Sequence, residues 1–475
     1  MTGNYSIDTN SQELLKEQLR LFAFENASVV ETEFVQLAHE RLSTRERLAA
    51  LLEGELNFHG QDSGYASHDL HAFAAKFPPQ LPLAFIRGLT KPGEIVLDPM
   101  MGSGTTVVEA MLEGRYGIGL DLDPLALRLA DAKTTTVDVD GVRQAGHRVL
   151  TRAKALLDDG NLVDNSLVNR FDSQTRAFVD YWYFQTTQRE LMALILAIDE
   201  IPDLRVRRFL ELTFSSIIVT KSGGVSRARD LAHSRPHLDG SKIPRNAIDQ
   251  FSVRLRKNLA SIAQIHNDGV HTQTVAADAR YMPLRTGSVD LIVTSPPYAN
   301  AIDYMRAHKF SLVWLGRSVA ALTKLRSEYI GSERIRYTGD RALPERAQTT
   351  IDELSKRDRK QSTVLHKYFV EMSLVLAEMH RVLHHDAAAV VVVGTSTMRN
   401  IDVQTHLCLA DIGADIGFDV VGVAQRALDR NKRMMPARFG RKTDSMIEQR
   451  MHDEYVIGFL KPPIFEQDRH NGNNR

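Results

Sequence analysis

The sequence predicts an α/β fold: a mostly parallel sheet with helices on both faces, broken by a helical insertion and preceded by a helical extension. Three observations predict it. Short apolar strands ending in an acid, at residues 94–98 and 117–121, are each followed by a helical pattern. A long stretch without strand character then precedes a second run of strands. Two loops, one rich in glycine and one in proline, stand at strand ends, where parallel sheets bind ligands.

The bulk numbers bound the reading. A chain of 475 residues has room for two to four domains of ordinary size. Hydrophobic residues make up 43% and charged residues 25%, a folding composition. The net charge is zero, so a polyanionic partner must be met by local patches. A single cysteine, Cys408, excludes a disulfide framework and a thiolate zinc cluster. That count fits a reducing, cytoplasmic setting. No apolar run reaches membrane-spanning length, and the polar start from Met1 to Asn10 lacks the apolar core of a signal peptide.

Residues 11–58 carry leucines near helical spacing and the helix-start pattern Ser43-Thr44-Arg45-Glu46. With no chemistry in view, residues 1–66 read as a helical extension for packing or dimerisation. Residues 94–98, 107–113, 117–121 and 124–132 read as strand, helix, strand, helix. Residues 135–270 read as a helical insertion, with helices near 144–157, 188–200, 206–219 and 248–265. Strands resume at 274–278 and 290–294, joined by a turn at 286–288. A long helix over 366–383, a buried strand over 388–394 and a closing strand pair at 418–425 and 454–460 follow. The catalytic domain is therefore expected over 67–134 and 271–462, with a disordered polar tail over 463–475.

The glycine loop, Asp98-Pro99-Met100-Met101-Gly102-Ser103-Gly104-Thr105-Thr106, has a physical use. Glycines allow a tight turn and close approach of a ligand, and the next helix points free N–H groups at it. An acid at the end of the following strand, Asp121, can accept from two ribose hydroxyls. Asp123 is its rival, or else caps the helix after Pro124. Thr105 and Thr106 stand where a phosphate-binding NTPase loop places Lys and Ser/Thr, which disfavours that chemistry.

The second loop is Thr294-Ser295-Pro296-Pro297-Tyr298, after an apolar strand. Its prolines freeze the backbone, fixing where carbonyls and side chains point. An exocyclic base amine is a poor nucleophile because its lone pair is delocalised into the ring. Acceptors held at Ser295 Oγ and the Pro296 carbonyl draw on its N–H groups and free that lone pair. Tyr298 offers a flat face for an extruded base. Taken alone, each loop is also an ordinary turn.

Together the two loops resemble the motifs of the S-adenosylmethionine-dependent DNA amino-methyltransferases, with Met100 where the family usually has phenylalanine. The resemblance covers roughly residues 68–133 and 274–460. It implies a Rossmann-like class I methyltransferase sheet and S-adenosyl-L-methionine as cofactor, with no metal. The segment His71 to Pro79 matches the part that closes over the cofactor, with Lys76, Phe77 and Pro78 at its heart; Lys76 as a solvated surface lysine is the equal alternative. Asp98, Pro99, Gly102, Ser103, Gly104, Thr105, Thr106 and Asp121 match the cofactor site. Asp278, followed by Ala279, matches the acid that accepts from the adenine amino group.

The resemblance makes Ser295, Pro296, Pro297 and Tyr298 the catalytic set. A leading serine accompanies cytosine-N4 methylation more often than adenine-N6. The order of the motifs differs from that of many cytosine-N4 enzymes, so adenine-N6 and RNA-base methylation stay open, as does an inactive DNA-binding homologue. Cytosine-C5 chemistry needs a cysteine nucleophile, and Cys408 lies in an apolar helical run. Asn300, Asp303 and Tyr304 are polar neighbours read as capping and packing residues.

Three stretches stand out for positive charge: 221–257, 317–360 and 426–450. The first, with Lys221, Arg227, Arg229 and Arg235, is read as contacting DNA phosphates, and the mixed-sign second as solvated surface. The implied partners are double-stranded DNA and a cognate restriction or defence nuclease, with no membrane, in a monomer or homodimer.

Overall fold

The computed structural model describes residues 9–24, 39–73, 76–220, 224–229, 231, 236–263, 270–299, 303–332, 341–394, 396–428 and 453–463. Its centre is a seven-stranded sheet. The strands are β1 (Ile95–Asp98), β2 (Tyr116–Asp121), β3 (Thr272–Ala276), β4 (Val289–Thr294), β5 (Leu383–Gly394), β8 (Asp419–Ala427) and β9 (Asp453–Leu460), in the order β3-β2-β1-β4-β5-β9-β8. A separate two-stranded ribbon joins β6 (Thr397–Met398) to β7 (Ile401–Asp402). β1 to β5 run parallel, and β9 runs antiparallel to both its neighbours. This is the Rossmann-like class I arrangement. Its strand order reverses between β1 and β4, where open α/β sheets bind ligands.

β3 and β4 were expected as consecutive strands joined by a turn. They are consecutive in the chain, but β2 and β1 lie between them in the sheet. The 286–288 turn packs elsewhere: the Gly287 and Ser288 amides donate to the Arg381 and Val382 carbonyls.

The sheet is buried on both faces, so its strands read as continuous apolar runs whose alternate residues enter different cores. Val96, Leu291, Val293, Val390, Val392 and Val456 face one core, covered by the helices Thr44–Leu52 and Gln80–Leu89. Leu97, Ile292, Ala389, Val391, Val393 and Ile457 face the other, covered by Glu345–Arg357, Arg359–Val382 and Thr405–Ile416. The Thr44–Leu52 helix starts with a capping box between Ser43 and Glu46, and Leu48 and Leu51 are fully buried. It is thus part of the layer that covers the sheet.

Between β2 and β3 lie the helices Pro124–Thr134, Val139–Asp159, Asn161–Arg170, Ser173–Trp182, Gln185–Asp199, Leu204–Ile218 and Ala247–Ile262. Asp123, Asp138, Asp172, Asp203 and Asn246 cap five of them by accepting first-turn N–H groups. The core of this lobe also takes in Phe310 and Trp314, which follow the proline loop in sequence, and Leu125 and Leu129 from the helix after β2. The lobe therefore has its own core, closed on the sheet side by the helix after β2 and by the segment after the proline loop. Among the described residues no helix is long and apolar enough to cross a membrane. The 463–475 tail, apart from Pro463, lies outside the described residues, as does most of the basic stretch 426–450.

Candidate active site

The two loops meet at the reversal point. β1 and β4 pair through Val96–Leu291 and Leu97–Ile292, so Asp98 and Thr294 end side by side. Thr294 Oγ1 donates to Asp98 Oδ1 at 2.7 Å, and Thr106 Oγ1 donates to the Val293 carbonyl at 3.1 Å. One buried residue from each loop thus fixes the other loop's strand end.

The glycine loop needs its glycines at two positions. Gly102 and Gly104 have φ of +48° and +75°. A side chain on Gly104 would begin 2.8 Å from Ala130 Cβ, and one on Gly102 would begin 3.3 Å from the Phe73 ring. Gly104 is the cap of the helix Thr105–Leu112, whose first-turn amides face the loop. Ser103 Oγ and Thr105 Oγ1 lie 3.0 Å apart, and the buried Lys133 Nζ donates to the Ser103 carbonyl at 2.7 Å. Pro99 follows the β1 acid directly.

Asp121 closes the loop from β2. Its Oδ2 accepts from the Gly102 amide at 2.9 Å and its Oδ1 from the Asp123 amide at 2.8 Å. Each oxygen keeps a free lone pair, which suits hydroxyl donors such as a ribose diol. Burial, with Asp123 beside it, pushes the Asp121 carboxyl up to about 7. Burial likewise pushes Asp98 up to about 6, against the bonds from Thr294 and Met100. Asp123 caps its helix through Leu125 N at 2.8 Å and accepts a hydrogen bond from His308 Nδ1 at 2.6 Å. The capping alternative for Asp123 is the one the geometry shows.

The segment before the first loop lies against it. Phe73 covers Gly102, and Phe77 is buried in the sheet core. Pro78 is buried beside Phe77, while Lys76 is exposed, with its ammonium 2.6 Å from the His68 carbonyl. Ser67 Oγ, His68 Nδ1 and His71 Nδ1 are buried polar atoms without a hydrogen-bond partner on this segment. Two acids with open acceptor capacity, free helix amides and orphaned polar atoms together form a donor set that fits a polar nucleoside cofactor.

Asp278 departs from its expected setting. β3 ends at Ala276, so Asp278 sits in the following loop, not at the strand end. Arg280 grips its carboxylate through Nε and a second nitrogen at 2.6–3.1 Å, and Arg280 also reaches Glu371 at 2.6 Å. Ala279 is buried next to it. Any adenine contact at Asp278 thus shares the carboxylate with Arg280.

At the proline loop, Pro296 is buried and Ser295 and Pro297 half-buried. The Tyr298 hydroxyl donates to Glu454 Oε1 at 2.7 Å, and Glu454 Oε2 pairs with Arg426 at 2.7 Å. Burial and the Glu454 charge push the Tyr298 phenol well above its ordinary range, so it stays protonated. A side chain on Gly394, at the end of β5, would begin 2.5 Å from the Tyr298 ring. Gly394, Glu454 and Arg426 were missed in the sequence. They lie on the distant strands β5, β8 and β9, and only the sheet order brings them to Tyr298.

Asp303 pairs with Arg306 at 3.0 Å and with Arg326. Tyr304 stacks on Phe73, with ring centroids 5.8 Å apart. Asn300 lies outside the described residues. Cys408 is buried on its helix, and burial pushes its thiol up to about 12, which removes it as a nucleophile. Of the four expected phosphate contacts, Lys221 and Arg235 lie outside the described residues. Arg227 is half-buried, stacked over Phe184 at 4.8 Å, with Nη1 bonded to the Tyr181 carbonyl. Arg229 is exposed, next to the Ala228–Leu238 bridge. Among the described residues no group of three or more His, Cys, Asp or Glu is placed to hold a metal ion.

Residues 47–132 match the N6_N4_Mtase family, described as DNA methylase. A Type II methyltransferase, M.MvaI of Kocuria varians, is 23% identical over 389 residues, covering 75% of this chain and 83% of that protein. M.MjaII of Methanocaldococcus jannaschii is 30% identical over 124 residues, 26% of this chain and 23% of that protein. M.BsoBI of Geobacillus stearothermophilus is 22% identical over 256 residues, half of each protein.

Proposed function

We propose that this chain, which belongs to the amino-methyltransferase family of DNA methylases, transfers a methyl group from S-adenosylmethionine to the exocyclic N4 of a cytosine flipped out of duplex DNA. The observation that carries the reading is the junction of the two loops. Thr294 bonds to Asp98 and Thr106 bonds to Val293, so the proline loop and the glycine loop form one rigid unit.

In this reading Asp98 to Thr106, Asp121, Asp278 with Ala279, and Lys76 to Pro78 hold the cofactor. Bound there, it supplies an electrophilic sulfonium methyl. Ser295 Oγ and the Pro296 carbonyl accept from the two N–H bonds of the target amine, which concentrates its lone pair on nitrogen, and the proton lost after methyl transfer passes to water. Pro296 and Pro297 keep these acceptors in place at no entropic cost on binding. Tyr298, held by Glu454 and Arg426, stacks the base and fixes the amine's distance from the glycine loop.

The helical lobe, residues 135–270, serves target recognition. Its exposed Arg229, with Lys221 and Arg235, meets phosphates, while Arg227 braces the segment that carries Arg229. The Type II names of the relatives point to a restriction-modification setting, with a cognate nuclease as partner. The lead serine of the proline loop favours cytosine N4 over adenine N6.

Ser295→Ala tests the assignment. It should lower kcat on duplex DNA at least a hundredfold, the usual worth of one positioned acceptor, with calorimetric cofactor affinity unchanged. Equal losses of affinity and turnover would count against a role in activating the amine.

A further inference from the structure

The helix Met305–Leu312 follows the proline loop, yet its polar face turns to the cofactor side. Tyr304, His308 and Ser311 recur at helical spacing, which places them in one row. Phe310, beside that row, packs instead into the lobe, 4.8 Å from Trp182 and 5.1 Å from Phe178. Its carbonyl accepts from Tyr183 Oη at 2.7 Å.

Tyr304 and His308 each touch a residue that touches the glycine loop or its neighbour Asp121, and Ser311 reaches the segment that carries Phe73. His308 Nδ1 donates to Asp123 Oδ2 at 2.6 Å, and both side chains are buried. The Asp123 amide donates to Asp121 Oδ1 at 2.8 Å, and Asp121 Oδ2 accepts from Gly102 at 2.9 Å. The His308 ring lies 4.9 Å from Phe73, which covers Gly102. Ser311 Oγ accepts from Ser215 Oγ at 2.9 Å, and Ser215 Oγ meets His71 Nε2 at 2.9 Å, on the same segment as Phe73.

We infer that His308 is a positioning residue for the cofactor half of the site, supplied by the helix that follows the target-base loop. The inference rests on the methyltransferase reading above. Its action runs through Asp123. Burial alone raises that carboxyl; His308, first among the opposing groups, with the Leu125 amide and the Tyr329 hydroxyl, more than offsets it and holds Asp123 ionised, below its ordinary range. An ionised, fixed Asp123 pins the 121–124 turn, and with it the angle of the Asp121 carboxylate to the loop. Without the His308 donor, a buried acceptor loses its partner and the turn relaxes.

The test uses S-adenosylhomocysteine in calorimetry without DNA, steady-state kinetics with DNA, and two variants of different shape. In His308→Asn the amide nitrogen takes the place of Nδ1 and keeps the donor to Asp123. In His308→Gln the volume is closer to histidine, but the amide lies one bond further out. A positioning role predicts affinity near wild type for His308→Asn. It predicts a tenfold to hundredfold loss for His308→Gln, the size expected of one hydrogen bond to a charged group. KM for the cofactor should rise in step, with KM for DNA unmoved. The opposite ranking, following side-chain volume and thermal stability, would overturn the inference and leave His308 a packing residue. If wild-type protein binds S-adenosylhomocysteine but His308→Gln binds it equally well, the inference alone falls. If wild-type protein does not bind it, the methyltransferase reading falls first.

Discussion

Gly394→Ala is the smallest change that should disable the target-base loop while sparing the cofactor. The new methyl would begin 2.5 Å from Tyr298 Cε2, 2.9 Å from Cδ2 and 3.1 Å from Cζ. Carbon contacts settle near 3.5–4.0 Å, so the ring must retreat by about 1 Å. It cannot do so freely, because its hydroxyl is bonded to Glu454 at 2.7 Å and Glu454 is paired with Arg426. Overpacking of this kind costs about 1–3 kcal/mol of stability. A displacement of about 1 Å in a reacting pair costs roughly a hundredfold in rate. The assay is turnover of labelled S-adenosylmethionine into duplex DNA, beside calorimetry of cofactor binding and a thermal melt. The expected result is kcat down about a hundredfold, cofactor affinity within twofold, and a lowered Tm. Turnover within twofold of wild type would refute the placement of Tyr298 against the reacting base.

Two further outcomes follow from the electrostatics and the lobe. Burial pushes Glu109 up to about 8, against the Tyr65 hydroxyl that donates to it at 2.8 Å, while burial drives its neighbour His68 well below its ordinary value. A carboxyl raised on folding contributes stability below its unfolded value, near 4.5, and loses it as pH rises through about 8. Glu109→Gln should therefore flatten the fall of Tm between pH 5 and pH 8; an unchanged slope would show that Glu109 does not titrate there. Arg229→Ala should weaken DNA binding and reduce the salt slope of log K by about 1 with Tm unchanged, whereas Arg227→Ala should lower Tm through lost packing on Phe184. A Tm loss for Arg229→Ala equal to that for Arg227→Ala would remove the distinction between them.

The strands that bear the site were legible because their signals are local. An apolar run ending in an acid, then a glycine or proline loop, marks a strand end without reference to the rest of the chain. The continuous apolar runs in 388–394 and 454–460 could be read only as burial, since both sheet faces are covered. What the chain does not announce is adjacency. β3 and β4 are consecutive in the chain but three places apart in the sheet, with β2 and β1 between them. The Thr44–Leu52 helix reads as a detached arm until Leu48 and Leu51 are seen against the sheet core.

The same limit governs the site. Asp98, Gly102, Gly104 and Asp121 stand out because each needs a special backbone or strand-end position. Glu454, Arg426, Gly394 and His308 are ordinary residue types whose meaning lies in what the fold sets beside them. Arg227 shows the converse: a basic residue in a basic stretch reads as a phosphate contact, and only the fold shows that it also stacks on Phe184 and bonds to the Tyr181 carbonyl.

Nucleoside mass spectrometry of duplex DNA and of RNA, each incubated with the protein and methyl-labelled S-adenosylmethionine, tests the central claim most directly. The account predicts label in DNA as N4-methylcytosine, abolished in Ser295→Ala. Label as N6-methyladenine would contradict the choice of base, label confined to RNA would contradict the choice of nucleic acid, and label in neither would contradict the claim that this site methylates a base amine.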